Sequence, residues 1–180
     1  IPVKKHDHVL IPAGTVHCSG ADTMVLEISA TPYIFTFKLW DWGRVDLDGK
    51  PRPIHLEHGA ANIQWYRNTE WVHRNLVNAV AEVYTGENGT VVRTGLHERE
   101  FLDTFRFTTS SALPVHRNGS VHMLNLVDGT RAVLRSKSDA FPPLELHYAE
   151  TCIVPQAAGD YEIYSPDGSE VKVILACVRN

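Results

Sequence analysis

The sequence predicts an all-β protein in which one short helical stretch connects two β regions. Aromatic and β-branched residues occur in short runs, such as residues 33–40 and 121–127, and such runs are typical of strands. Residues that favour tight turns separate these runs, as at Asp128-Gly129. A segment that occurs twice in the chain is the third observation, because it indicates two related β regions.

In the first β region, residues 9–11 and 24–28 are apolar runs that predict short strands. Residues 33–40 predict a third strand, because they are rich in aromatic side chains. Asp48-Gly49 and the following Pro51 end this region, since these residues favour turns.

Between His58 and Tyr84 the pattern changes. Apolar residues recur there at approximately helical spacing. Asn68 or Thr69, directly before Glu70, is a suitable helix N-cap. We therefore predict one or two helices that connect the two β regions.

In the second β region, residues 121–127 and 131–134 flank Asp128-Gly129. Asp-Gly readily supplies the two positive φ angles of a type I′ turn, so this segment predicts a β-hairpin. Residues 166–169 (Pro-Asp-Gly-Ser) predict another tight turn, and residues 171–178 predict the final strand.

The composition argues against several classes of protein. The formal charge is −4 and Lys and Arg are scattered, so the chain has no basic stripe that would bind nucleic acid. No apolar run approaches the roughly 20 residues that span a membrane. Cys18, Cys152 and Cys177 are an odd number without a paired spacing, which favours reduced thiols. We therefore expect a cytoplasmic protein.

Two motifs narrow the function. Residues 11–17 read Ile-Pro-Ala-Gly-Thr-Val-His, and residues 40–44 read Trp-Asp-Trp-Gly-Arg. Together they resemble the class I mannose-6-phosphate isomerases of the short bacterial type, which carry a Pro-Ala-Gly-Thr-Val-His segment followed by Tyr-Asp-Trp-Gly-Arg. The resemblance implies the cupin fold, in which a double-stranded β-helix closes into a jelly-roll barrel.

The repeated segment then predicts the domain organisation. Residues 7–14 align with residues 150–159, with two extra residues before the glycine of the second copy. We predict that residues 1–57 are the closing strands of a first cupin barrel, 58–91 a helical connector and 92–180 a second barrel. The second copy lacks the histidine and has Tyr161 or Glu162 near its place, which predicts a barrel without metal. Since no Met begins the chain, we expect it to be the C-terminal part of a longer polypeptide.

The resemblance implies interconversion of mannose 6-phosphate and fructose 6-phosphate at one Zn²⁺ site. A proton would move between C2 and C1 through an enediol, with the metal polarising the substrate carbonyl. His17 matches the last metal ligand of the family, and an imidazole nitrogen suits zinc. The other ligands, a Gln, a His and a Glu, are expected upstream of this chain. The alternative for His17 is a buried histidine that is satisfied by a carboxylate.

The same resemblance indicates catalytic residues. Lys38 occupies the position of the family's catalytic Arg; its ammonium lacks the planar fork of a guanidinium but can stabilise an oxyanion. Arg44 either contacts the substrate or pairs with Asp41 or Asp46 to fix the turn. Strand alternation allows Glu27 and Lys38 to face the barrel interior, where a carboxylate can shuttle a proton. We predict catalytic roles for Lys38 and Arg44, and substrate binding by Glu27, Lys38 and Arg44.

The predicted partner is a small-molecule sugar phosphate, and a homodimer is left open. The alternative function is a catalytically degenerate cupin that binds a sugar or has a regulatory or structural role. Lys38 in place of Arg and the absence of upstream ligands favour that alternative. A metal-dependent dioxygenase on the same fold would need a facial set of ligands, which the sequence does not contain.

Overall fold

The computed structural model describes residues 1–29 and 36–179. These residues form two short α-helices and ten strands, which confirms the predicted all-β class. The helices are α1 Leu56–Asn62 and α2 Thr69–Asn75. The strands are β1 Ala81–Gly86, β2 Gly89–Arg93, β3 Leu102–Thr109, β4 Ala112–Val115, β5 His122–Asp128, β6 Arg131–Ser136, β7 Leu144–His147, β8 Thr151–Val154, β9 Tyr161–Tyr164 and β10 Val171–Val178.

The strands form two antiparallel sheets. The larger has the order β1-β2-β3-β10-β5-β8 and the smaller the order β4-β9-β6-β7. From β3 onward, strands that follow each other along the chain lie in different sheets, except for β6 and β7, so the chain crosses repeatedly from one layer to the other. The facing sides of the sheets enclose an apolar core. Its fully buried side chains include Leu124, Leu126, Leu134, Ile163, Val171 and Val173.

The chain divides into two compact units. One is Ile11–Val77, which contains both helices; the other combines Ile1–Leu10 with the residues from Asn78 onward and contains all ten strands. The predicted boundaries after residues 57 and 91 stay predictions. No helix in the described part of the chain is long and apolar enough to cross a membrane.

The final strand has the bounds that the sequence predicts. β10 lies inside the larger sheet, where it pairs with both β3 and β5. Val171, Val173 and Leu175 alternate along it and are buried, as expected for a strand with one face on the core. The predicted helix cap is also present, because the side chain of Asn68 accepts a hydrogen bond from the amide of Trp71 at 3.0 Å.

The predicted hairpin around Asp128-Gly129 is wrong. Both of its strands exist, but β5 pairs with β10 and β8, whereas β6 pairs with β9 and β7. Of the two turn residues only Gly129 has a positive φ, at 88°, so the turn is not of type I′. A crossing between sheets lets both strands bury a face in the shared core. A local pattern of two strands around a turn does not distinguish that arrangement from a hairpin.

The predicted strands in the first β region are not part of a sheet. Residues 9–11 and 24–28 have no partner strand among the described residues, and a strand depends on a partner for its backbone hydrogen bonds. Met24, Val25 and Leu26 are exposed at successive positions rather than alternately. Of the third predicted strand, residues 33–35 lie outside the described residues and residues 36–40 form no strand.

The connector range contains a hairpin that the helical pattern did not predict. β1 and β2 pair across a turn that contains Glu87, Asn88 and Gly89, with a φ of 133° at Gly89. Asn-Gly between two short runs is a recognised hairpin signal and could have indicated this element.

Candidate functional site

Residues 12–15 form the turn that precedes His17. The amide of Thr15 donates to the carbonyl of Pro12 at 3.2 Å, and Gly14 has a φ of 81°, which defines a type II turn. Glycine is required there for two reasons. An L side chain is strained at this φ, and a Cβ would lie 2.6 Å from the carbonyl oxygen of Asn62.

Arg67 fixes this turn through its guanidinium. Its Nη1 donates to the carbonyl oxygen of Pro12 at 3.2 Å, to that of Ala13 at 2.8 Å and to the hydroxyl of Thr15 at 2.5 Å. The guanidinium carbon also lies 5.4 Å from the ring centre of Trp71, within cation–π range. Sequence reasoning missed Arg67, because more than fifty residues separate it from the turn and no motif contains it.

The ring of His17 has a defined orientation. Its Nδ1 lies 2.9 Å from the carbonyl oxygen of Thr15. A carbonyl oxygen only accepts, so Nδ1 carries the proton, and the lone pair of Nε2 in the neutral ring is directed away from the turn. The side chain is exposed, so the alternative of a buried histidine satisfied by a carboxylate does not apply.

His17 meets part of the requirement for a zinc site. A ring that donates from Nδ1 to a carbonyl is oriented as metal-binding histidines are, with Nε2 as the ligand atom. A structural zinc site has four protein ligands and a catalytic one typically three. Nowhere among residues 1–29 and 36–179 do three His, Cys, Asp or Glu side chains form a group that could hold a metal. These residues therefore supply one ligand of suitable geometry and not a complete site.

The second motif is also a tight turn. The amide of Arg44 donates to the carbonyl of Asp41 at 2.9 Å, and both central residues have positive φ, 56° at Trp42 and 65° at Gly43. Two positive φ angles define a type I′ turn. The exposed rings of Trp40 and Trp42 lie 4.4 Å apart at the turn. Glycine at the second central position removes the steric cost there, which explains the Trp-Gly order.

A buried carboxylate lies at the start of this turn. Asp41 is 9% exposed, and its Oδ2 lies 3.3 Å from Nζ of Lys38 and 3.0 Å from Nε of Arg52. Arg52 reaches Asp41 because its amide donates to the carbonyl of Arg44 at 3.0 Å, beside a bridge between Val45 and Pro51. The result is a cluster of one carboxylate and two cations.

Arg44 is not part of this ion cluster. Its backbone closes the turn, but its side chain is exposed and has no ion pair with any described carboxylate. The carboxylate of Asp46 accepts from the amides of Asp48 and Lys50, both at 2.9 Å. Neither predicted carboxylate partner therefore holds Arg44, and Arg52 takes the structural role at Asp41.

The structure brings together some of the predicted site residues. Lys38 and Arg44 both contact Asp41, the first through its ammonium and the second through its amide. His17 and Glu27 have no contact with either of them within the described residues, and the side chain of Glu27 is exposed. The predicted roles of all four residues stay predictions.

In the second β region, His122 occupies the interior between the sheets. Its Nδ1 lies 2.9 Å from the hydroxyl of Tyr161 and its Nε2 lies 3.1 Å from Oδ1 of Asn118. Burial, with a smaller contribution from the charge of Arg117, lowers the pKa of His122 to about 4, so the ring is neutral at pH 7. Tyr161 thus faces this ring, whereas Glu162 pairs with Arg135.

No protein-family model matches the chain. Two curated bacterial enzymes match part of it. The mannose-6-phosphate isomerase of Streptococcus mutans is 37% identical over 57 residues, which are 32% of this chain and 18% of that enzyme. The mannose-6-phosphate isomerase ManA of Bacillus subtilis is 37% identical over 64 residues, which are 36% of this chain and 20% of that enzyme. Each match therefore spans about a fifth of the relative's length.

A solved structure shares the fold. The mannose 6-phosphate isomerase from Bacillus subtilis superposes with a TM-score of 0.53 at 13% identity, covering 76% of this chain and 38% of that chain. At this identity the likeness concerns the fold alone, and it agrees with the two antiparallel sheets described above. The cupin fold is thereby confirmed, and about a third of the chain is similar in sequence to mannose-6-phosphate isomerases, which supports the predicted resemblance to the C-terminal part of those enzymes.

Proposed function

We propose that this chain is part of a zinc-dependent isomerase that interconverts mannose 6-phosphate and fructose 6-phosphate. The observation that supports this most is the 37% identity to two mannose-6-phosphate isomerases. The His17 turn and the Asp41–Arg44 turn add support, because they give the two sequence motifs a defined geometry.

In this proposal Nε2 of His17 is one zinc ligand. Its orientation is preset by the Nδ1–H bond to Thr15, and Arg67 holds the turn that carries it. The remaining ligands would come from sequence outside these 180 residues. Bound zinc would supply a Lewis acid that polarises the carbonyl of the sugar.

Lys38, Arg44 and Glu27 would act on the substrate. The Lys38 ammonium, kept in place by Asp41, would stabilise negative charge on the enediolate oxygen. The Arg44 guanidinium, which no described carboxylate neutralises, would bind the phosphate dianion through two parallel N–H bonds. The exposed carboxylate of Glu27 would carry the proton between C2 and C1. Zinc, substrate and the cytoplasmic location are all part of this proposal.

The test measures zinc content and isomerase activity on the protein in the form in which the cell makes it. Conversion of mannose 6-phosphate is followed by the appearance of fructose 6-phosphate. We expect His17→Ala to lose the bound zinc and at least about 100-fold in activity. The matched control is His73→Ala, because His73 is an exposed histidine on α2, and this variant should keep both properties.

Two results would contradict the proposal in different ways. Full zinc content in His17→Ala would show that His17 is not a zinc ligand, without contradicting the proposed reaction. If the wild-type protein binds zinc but does not convert mannose 6-phosphate, the proposed isomerase activity is wrong.

The second candidate function is a cupin that binds a sugar without turnover. The ion pair of Lys38 with Asp41 favours it. A lysine that is already paired with a carboxylate stabilises an oxyanion less well than an unpaired guanidinium does. Calorimetric binding of mannose 6-phosphate without formation of fructose 6-phosphate would support this alternative.

A further inference from the structure

The unit that contains the ten strands has an open cavity of about 490 Å³ between its two sheets. Its walls come from β2, β3, β4 and β10. The side chains that form them are apolar: Val91, Phe105, Phe107, Leu113, Val115 and Leu175. A volume of this size is in the range of sites for small organic molecules.

The polar side chains that line the inner end of the cavity are uncharged. Both ring nitrogens of His122 are occupied, by Tyr161 and Asn118, and the pKa of His122 is far below neutrality. Cys177 accepts a hydrogen bond from the side-chain amide of Asn118 at 3.2 Å, and burial raises the pKa of its thiol. Neither side chain therefore carries a charge at pH 7, and the guanidinium of Arg117, which acts on both of them, does not line the cavity.

The rim contains a histidine and a bulge in a strand. His116 lies there and pairs with Asp160 at 2.8 Å. β1 contains a bulge between Glu82 and Tyr84, so Val83 is an extra residue in the pairing with β2. Bulges re-aim side chains, and here the consecutive residues Val83 and Tyr84 both line the cavity, which strict alternation would prevent.

We infer that this cavity binds an uncharged, mainly apolar small molecule, such as an aromatic ring with few polar atoms. The lining contains no Lys, Arg, Asp or Glu, so it does not offer the cation that a sugar phosphate requires. A mainly apolar lining with a few polar groups is the usual form of a site for a small organic molecule. None of the lining residues is a proposed isomerase residue, because they all come from the range 83–177.

The test titrates the wild-type protein with the neutral fluorescent probe N-phenyl-1-naphthylamine. We expect saturable binding of one probe per chain. Val83→Trp should reduce the affinity at least tenfold, because an indole at the bulge would cover the mouth. The matched control is Val121→Trp, an exposed valine of the same unit that does not line the cavity, and it should leave the affinity unchanged. Urea unfolding of both variants checks that they are folded.

A second titration tests the chemical class. The anionic relative 8-anilinonaphthalene-1-sulfonate should bind at least tenfold more weakly than the neutral probe. Equal affinity of the two probes, or displacement of the neutral probe by mannose 6-phosphate, would overturn the assignment to an uncharged ligand. Unchanged affinity in Val83→Trp would mean that the probe binds to other exposed apolar side chains, and the assignment of the cavity as the binding site would be wrong. None of these outcomes depends on isomerase activity.

Discussion

The ammonium of Lys38 lies 3.3 Å from Oδ2 of Asp41, and the same oxygen lies 3.0 Å from Nε of Arg52. One buried carboxylate thus serves two cations, and the cluster keeps one net positive charge. Arg44, on the far side of the same turn, adds a second positive charge without a described counter-ion. Under the proposed function, these positive charges would attract the phosphate dianion of the substrate.

Asp41→Asn should destabilise this region. The change leaves Lys38 and Arg52 without their counter-charge, and since both are partly exposed we expect a loss of about 1–2 kcal/mol in the free energy of unfolding. Urea denaturation measures the loss. Asp48→Asn is the control, because the side chain of Asp48 is exposed and has no ion pair within the described residues. Equal stability of the two variants would mean that the cluster contributes nothing.

Arg44→Ala should weaken the binding of substrate and leave the stability of the fold almost unchanged. The side chain is exposed and has no ion pair among the described residues, so the free energy of unfolding should change by less than about 0.5 kcal/mol. If the guanidinium binds the phosphate, KM for mannose 6-phosphate should rise about tenfold or more. Steady-state kinetics measures this, with Arg99→Ala as the control for another exposed arginine. A lower stability with an unchanged KM would assign Arg44 to the turn instead.

The sequence was most informative where the backbone chemistry is local. The Pro12–Thr15 and Asp41–Arg44 turns depend on glycines at positive φ, and the motifs contain those glycines at the required positions. The cap at Asn68 is equally local. Such features are readable from single segments because the hydrogen bonds join residues that are three positions apart.

Longer-range features could not be read in this way. Arg67 reaches Thr15, and Tyr161 reaches His122, across separations of 52 and 39 residues. The pairing of β5 with β10 rather than β6 depends on burial between two sheets. The dipeptide Asp128-Gly129 at the turn contains no information about that burial. Similarly, Arg52 displaces Arg44 as the partner of Asp41 because a second turn folds residues 45–51 back on themselves.

Gly14→Ala should disturb the turn that positions His17. The added Cβ would be 2.6 Å from the carbonyl oxygen of Asn62, at a φ of 81° that alanine disfavours, so we expect a loss of roughly 1–3 kcal/mol. Gly20→Ala is the control, because no heavy atom lies within 4 Å of its Cβ position and its φ is not positive. Thermal unfolding compares the two variants. An equal effect of both would mean that the turn is not constrained.

His122 should make stability depend on pH. Its pKa is about 4 in the folded protein and 6.5 ordinarily, so the unfolded chain binds this proton first as the pH falls. Stability should therefore be complete above pH 6.5 and decline towards pH 4, by at most about 3 kcal/mol. Urea unfolding across this range measures it. His122→Gln should flatten the decline, whereas His73→Gln should not; the same slope in both variants would exclude His122 as its source.

Asp128 connects the first residues of the chain to the strands. Its carboxylate pairs with Lys5, lies 2.8 Å from Nε2 of His6 and lies 3.0 Å from Nζ of Lys172. The hydrogen bond from Lys5, followed by those from Lys172 and His6, holds the pKa of Asp128 far below its ordinary value of 3.8. The ion pairs therefore stabilise the protein at pH values above about 4, and this contribution is lost as the pH falls below that value.

Asp128→Asn should loosen residues 1–10 while the sheets stay intact. The amide cannot balance the charges of Lys5 and Lys172, so the segment should open more often and its amide hydrogens should exchange about tenfold faster at pH 7. Hydrogen exchange with peptide-level detection measures this, and the amides of β10 serve as an internal reference. Asp139→Asn, at an exposed aspartate without an ion pair in the described chain, is the matched control. Unchanged exchange in residues 1–10 would mean that backbone contacts, such as the 2.9 Å bond from Arg106 to the carbonyl of His6, hold the segment without Asp128.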